Sequence, residues 1–377
     1  MCVSTAVLSF ALLAQAQAPA PAPAPWSIGE IKFSGLIDGY YSHNFNNPAS
    51  GYNTLRNFEV KSRQFSLNMA ELSLTHDAEP IGFRLDLGFG RAWDVFHATD
   101  PAGRDIVRYF PQAYITLKPK NWGGLQFDFG KFYTSVGAEP TENTQTWSYG
   151  RGYLYTNGPY YHQGLRITKP LTSSFTAGFQ LVNGWNNVED NNSGKTMGFT
   201  TAWTGKKISW LNNIYIGPEK TGSNVGWRNF YDTVINLTPS DKMAAYINYD
   251  HGIENHADGT KKGAAANWDA IGLAAKFTTS EHTGLAFRYE YYSDHDGFAT
   301  GYGTPLNLQS ITATYEYKWT QGLLSRFEYR HDSSDKGFFE RGSQGQPLNP
   351  GIGTFTPGPK KNQDTLTLGF VAFFGPK

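Results

Sequence analysis

From Ile31 to the C-terminus the chain alternates apolar and polar side chains with a period of two, the spacing of strands that present one face to an apolar medium. Between 311 and 319 the odd positions are Ile311, Ala313, Tyr315, Tyr317 and Trp319, and the even ones Thr312, Thr314, Glu316 and Lys318. The same alternation runs through 81–89 (Ile81, Phe83, Leu85, Leu87 and Phe89 against Gly82, Arg84, Asp86 and Gly88), 125–130, 285–291 and the closing segment with Leu366, Leu368, Phe370, Ala372 and Phe374 on one face. Nothing longer carries a helical stripe. The connectors alternate as well: short turns at 77–80, Pro119, 169–172, 204–206, 238–241, 279–282 and 320–322 lie between long Asn/Gly-rich loops near 43–62, 91–108, 135–162, 184–195, 217–228, 251–266, 293–307 and 332–362. An up-and-down antiparallel meander with those connections has about sixteen strands (range 14–18), with both termini on the short-turn side.

A soluble sandwich also alternates, with its apolar face covered by a second sheet. Three features favour a transmembrane barrel. The strands run about 9 to 13 residues, enough to cross a bilayer at a tilt. Short and long connections segregate to opposite ends. Tyr40, Tyr41, Trp203, Tyr249, Tyr289, Tyr291, Tyr317 and Trp319 crowd the strand ends, where a ring with a wet tip suits the headgroup level. The period then turns Asp38, Arg84, Asp86, Asp128, Arg288, Glu290, Glu316, Lys318, Arg326, Glu328 and Arg330 inward, a set prohibitive in a dry core and inexpensive around water. A barrel of this size leaves a hydrated lumen.

Composition narrows the function. The 377 residues carry 32 Lys+Arg against 32 Asp+Glu, so no field draws the chain to nucleic acid. Charged residues are only 17% and aromatics 15%, yet mean hydropathy is −0.46, and past residue 26 no apolar run reaches the ~18 residues of a spanning helix. Cys2 is the single cysteine, which excludes disulfides, thiol catalysis and Cys-based metal sites from the mature chain. Met1–Ala18, an apolar stretch ending in Ala14-Gln15-Ala16 and Ala16-Gln17-Ala18, reads as a secretory signal peptide. Residues 19–29 form an Ala/Pro-rich spacer, and 30–377 the barrel domain.

The first strand, Phe33-Ser34-Gly35-Leu36-Ile37-Asp38-Gly39-Tyr40-Tyr41, the run Asn68-Met69-Ala70-Glu71-Leu72-Ser73-Leu74 leading to Gly82-Phe83-Arg84-Leu85-Asp86-Leu87-Gly88, and the closing strand together resemble the beta-barrel porin type 2, OmpL-like family of Gram-negative outer membranes. The resemblance implies an integral outer-membrane diffusion channel among lipid and lipopolysaccharide, passing small hydrophilic solutes or ions without a cofactor. General porins of this strand number are commonly trimers, so a homotrimer is implied too. In general porins the similar-looking connection to 135–162 folds into the lumen and narrows it; an ordinary surface loop is the alternative. Folded inward, Glu139, Glu142 and Arg151 would join Arg84 and Asp86 at a constriction, with the glutamates facing Arg84, Arg288 or Arg326 across a transverse field. Trp147, Tyr149, Tyr153 and Tyr155 of the same loop, with Tyr160 and Tyr161 and with Trp185 and Trp227 of later loops, would offer stacking platforms if the channel selects carbohydrates.

Other constellations point less far. His251 and His256 share a loop and Asp294-His295-Asp296 forms an acidic knot, but neither has the spacing of a metal site, and none is assigned. Glu189-Asp190-Asn191-Asn192 reads as loop polarity, with weak calcium or lipopolysaccharide bridging as the alternative. Ser42-His43 suggests a barrel hydrolase only superficially, since neighbours on a strand point to opposite faces, and the chain is not read as an enzyme. The function expected is a passive porin. The alternatives are a carbohydrate-selective channel or a closed barrel that displays binding loops; a plugged transporter is not expected, because about 350 mature residues leave little room for a plug domain beside the barrel.

Overall fold

The computed structural model describes residues 29–100, 106–260, 262–347 and 355–375. The expected leader and all of the spacer except Gly29 lie outside them. Sixteen strands follow in chain order: β1 (Lys32–Asn44), β2 (Phe65–His76), β3 (Ile81–Phe89), β4 (Ala113–Leu117), β5 (Gln126–Tyr133), β6 (Tyr161–Pro170), β7 (Phe175–Val182), β8 (Thr196–Thr204), β9 (Ile208–Gly217), β10 (Arg228–Ser240), β11 (Met243–Glu254), β12 (Ala266–Thr278), β13 (Thr283–Asp294), β14 (Leu306–Thr320), β15 (Leu323–Ser334) and β16 (Asn362–Phe374). Each pairs antiparallel with its chain neighbours, and β1 pairs with β16 from Gly35↔Phe374 to Asn44↔Thr365. Closure leaves no open edge, the condition for strands to cross lipid with every backbone group satisfied. Seven short turns gather at one end, and eight long loops, here L1 to L8, at the other.

The outward face is apolar and bare. Phe65, Ile81, Phe129, Trp319 and Phe374 are each more than half exposed, which a sandwich would not leave to water. Trp203, Tyr249, Tyr289, Tyr291, Tyr317 and Trp319 point outward as the period requires, but Tyr40 does not: it is 3% exposed inside the barrel, and its phenol oxygen accepts from the backbone N–H of Lys61 at 2.8 Å. The aromatic alone did not fix its face; the even parity it shares with Asp38 does.

The core sits inside the barrel and is made by loops. L1 (45–64) and L3 (134–160) fold inward, and Leu55 and Phe58 of L1 join Tyr153, Leu154 and Tyr160 of L3 in the two main apolar clusters. L2 adds a one-turn helix, α1 (Arg91–Phe96), which buries Trp93 and Phe96, and L3 adds α2 (Tyr153–Asn157). Both are too short for any helical stripe to announce them. The infolding also corrects the picture of a water-lined charge set. Asp38, Asp128, Arg288, Glu290, Glu316, Arg326, Glu328 and Arg330 do point inward, but each is at most 3% exposed, and of that lumen list only Arg84 and Lys318 keep appreciable exposure. They are affordable because they are paired and hydrogen-bonded, not because they are wet.

Candidate pore constriction

L3 leaves β5 with a turn at Gly137, whose φ of 85° suits glycine, and crosses the lumen instead of rising from it. The wall catches its backbone at each step. Gly137 N–H donates to Asp232 Oδ1 on β10 (3.1 Å) and Ala138 N–H to Asn248 Oδ1 on β11 (3.0 Å). Glu139 pairs with Arg288 on β13, and Glu142 accepts from Arg84 Nη2 on β3 (3.3 Å). Asn143 donates to Asp38 on β1. Arg326 on β15 donates to the carbonyls of Asn143 (2.7 Å) and Thr146 (2.5 Å), while Glu328 accepts from the N–H groups of Tyr149 (2.6 Å) and Gly150 (3.0 Å). Arg330 Nη1 reaches the carbonyl of Arg151 at 2.6 Å. An irregular backbone inside a barrel needs such charge-assisted bonds for its own polar groups, and the guanidinium forks supply several each.

These contacts press the descending half of L3 and the tip of L1 against one side of the barrel. Arg56 of L1 is fully buried there and meets Asp332 Oδ2 at 2.6 Å. The ring of Tyr149 lies flat on β16, and a Cβ at Gly369 would come within 2.1 Å of it, so glycine at that position is a condition of the loop's seat.

On the other side, along β3 to β8, the inward bases Arg84 and Arg166 stay accessible, although Phe132, His162 and Gln180 of the same wall are buried. Arg84 is 28% exposed while its partners Asp86 and Glu142 are 0% and 7%. Arg166 on β6 is 22% exposed against 1% for Asp128. Towards the short-turn end Lys276 on β12 is 21% exposed over a buried Glu316, beside the open Lys318, and towards the loops Arg228 and Lys220 stand over a fully buried Glu254. In each of these pairs the base faces the opening and the acid lies behind it. Glu139, 12% exposed over a buried Arg288, is the exception, and it lies in the packed half.

The structure thus brings Glu142, Arg84 and Asp86 together at the narrowing, and Glu139 onto Arg288. Arg151 is placed differently from the expectation: it is 0% exposed and donates to the carbonyls of Pro140 (2.9 Å), Thr141 (2.5 Å) and Tyr149 (2.8 Å), so it knots L3 to itself and presents no charge to the opening. Tyr149 and Tyr153 are likewise fully buried and Tyr155 packs on Phe58 and Tyr160, which removes them as stacking platforms. Trp147 stays partly open, against Tyr246 beside a cavity at the short-turn end, and of the later loops Trp185 is partly open and Trp227 exposed. Arg166 and Lys276 match the period but are not singled out by it, because exposure relative to a partner on the next strand (Asp128) or two strands away (Glu316) is not written in one strand.

Elsewhere, Ser42 points inward to Thr367 while His43 points outward onto Phe45, so the two share no chemistry. His251 and His295, distant in sequence, both reach Asp269 (2.8 and 3.0 Å) on the outer surface. Asp190 pairs with Lys195, and Asn192 bonds to the carbonyls of L5, so that run holds two loops together.

A closed sixteen-stranded barrel, apolar outside and narrowed by an infolded third loop, is the architecture of outer-membrane porins. The chain matches the family model described as "Putative beta-barrel porin-2, OmpL-like" over residues 30–374, and it belongs to that family. It is a porin of the outer membrane, with the short turns periplasmic and the long loops external. Comparison with curated proteins finds no match. Among solved structures the fold is similar to an anion-selective porin from Comamonas acidovorans (12% identity, 92% of this chain and 99% of that one, TM-score 0.61). It is also similar to the trimer form of OmpT from Vibrio cholerae (13%, 92% and 99%, 0.60) and to the channel DcaP of Acinetobacter baumannii (10%, 92% and 97%, 0.58).

Proposed function

We propose that this porin passes small hydrophilic anions in preference to cations. The observation that carries the reading is the exposure order within these ion pairs, where Arg84 and Arg166 on the open side and Lys276 towards the short-turn end face the path and Asp86, Asp128 and Glu316 lie beneath them. The formal charges nearly cancel, but an ion in the path lies nearer the base of each pair, and over a few ångströms that difference is not screened at ordinary salt. Arg228 and Lys220 at the external end extend the same sign outward. Selection then works by size at L3 and by this bias, with no moving part. The test is the double variant Arg84→Gln, Arg166→Gln. Its chloride-over-potassium permeability ratio, read from the reversal potential in a KCl gradient, is expected to fall severalfold towards unity. A ratio equal to that of the unaltered protein would refute the reading.

The low part of the wall supports a homotrimer. β3, β4 and β5 have 9, 5 and 8 residues, and β4 is too short to meet the ~9–11 residues of a spanning strand. Phe89, Ile115 and Phe129 project outward from it, more than half exposed, a strip suited to a second copy of the chain. The rest of the outer face contacts lipid and lipopolysaccharide, and Met1–Ala18 is removed during export.

A further inference from the structure

Above the constriction, enclosed by L3, L4, L5, L7 and the external ends of β10 and β12, lies a cavity of about 460 Å³. Arg228 is its centre. The Nε donates to Glu254 Oε2 (2.7 Å), and the guanidinium is held against aromatic faces, with Cζ 4.6 Å from the ring of Trp185 and 5.9 Å from those of Trp268 and Phe298. Its Nη1 and Nη2 hydrogen-bond to no group among the described residues, although a guanidinium has five N–H donors; Arg326 and Arg330, by contrast, donate from Nη atoms to the backbone of L3. Asn187 also lines the cavity; it is 3% exposed, and its amide has no partner among the described residues. Trp268 and Phe298 stack on each other at 6.2 Å and form an apolar wall.

Each of these features selects part of a ligand. A guanidinium fork left open in a partly dehydrated site matches a carboxylate bidentately. An unpartnered amide, at once donor and acceptor, matches a hydroxyl. Aromatic planes match the apolar face of a saturated ring. A bare inorganic anion would leave the aromatic wall unused, and a neutral sugar would leave the fork unpaired. We propose that the cavity is a binding site for a sugar acid of the hexuronate class, its carboxylate on Arg228, its ring against the Trp268–Phe298 wall and a hydroxyl on Asn187. The site rests on the porin reading, since it would gather such a solute at the external mouth of the path, but its occupancy does not depend on conduction.

The test uses the full-length protein refolded in detergent micelles, with tryptophan fluorescence and calorimetry against D-galacturonate, D-galactose and acetate. Galacturonate is expected to bind at least about tenfold tighter than either control. Arg228→Gln is expected to lose about that factor, Arg228→Lys to recover little of it because the fork is missing, and Asn187→Ala to lose severalfold. Folding is protected in these variants, because Lys220 also pairs with Glu254 and Asn187 holds nothing else in place. Galacturonate no tighter than acetate or galactose, or affinity unchanged in Arg228→Gln, would overturn the site. The same preparation is placed in planar bilayers. Conduction without galacturonate binding removes this site and leaves the porin, whereas binding by a barrel that never conducts overturns the channel reading and leaves the site.

Discussion

At the residue scale the molecule sorts its charges by function through burial. Arg288, Arg326 and Arg330 are hidden and hold L3, whereas Arg84 and Arg166 are half hidden and face the path. Two glutamates of the same loop should therefore respond differently to neutralisation. Glu142→Gln relieves Arg84 of one of two carboxylates at the narrowing, and the permeability ratio is expected to move further towards anions, by about twofold, with the fold intact. Glu139→Gln takes the charge from a buried Arg288 left with Glu290 at 3.5 Å, a loss of about 3 kcal/mol or more, and is expected to appear as noisy, unsteady conductance. Glu219 provides a pH handle. It lines the external cavity, and burial raises its carboxyl from the ordinary range to about 7, against the opposing pull of Arg228 and the hydrogen bonds from Thr196 and Trp185, with Glu254 and its neighbour Lys220 the other charges near it. Below pH 7 it gains a proton and the cavity loses a negative charge. A uronate carboxylate, ordinarily near 3.5, stays charged from pH 8 to pH 6. Galacturonate affinity is accordingly expected to rise severalfold between pH 8 and pH 6, in a titration by calorimetry, and a flat profile would exclude Glu219 from the site's electrostatics.

At the element scale the infolded loops decide what the barrel can pass. The seat of L3 on β16 requires that Gly369 carry no side chain, because the ring of Tyr149 occupies the space. Tyr149 is fully buried and donates its hydroxyl to Asp38 at 2.5 Å, so it cannot step aside cheaply. Gly369→Ala is expected to lift L3 from the wall and replace steady openings with fluctuating ones, while strand content by circular dichroism stays unchanged. Equal single-channel traces would show that the contact is dispensable. The strands themselves were legible in the sequence, because lipid outside and polar groups inside impose a period of two that survives in each segment from Ile81 to Phe374. The infolding of L1 was not. Loops that fold inward keep no period, and the only trace was apolar Leu55, Phe58 and Val60 in a stretch otherwise rich in Asn and Gly. The site was legible in part. Glu139 and Glu142 could be placed on a loop facing wall arginines, but Arg288 lies 149 residues from Glu139, and which member of a pair faces water is decided by packing between distant segments. For the same reason Arg151 reads from sequence as a pore charge and proves to be an internal knot.

At the scale of the whole molecule we propose that a closed wall, two infolded loops and a ladder of partly exposed bases combine into a narrow path with a charge preference. The wall is uneven, tall from β10 to β16 and low from β3 to β5, and the low apolar strip is the proposed place for subunit contact. Cross-linking of the detergent-solubilised protein is expected to give a trimer that Ile115→Glu weakens, and a monomer at all concentrations would contradict that arrangement. The measurement that bears most directly on the central claim is the single-channel conductance of the purified, refolded porin in a planar bilayer, with the reversal potential taken under a KCl gradient. Steady ohmic openings with a reversal potential of the sign set by chloride are expected. A conducting channel that reverses with the sign set by potassium would contradict the exposed bases as the selecting groups, and a barrel that inserts but never opens would contradict the open path along β3 to β8.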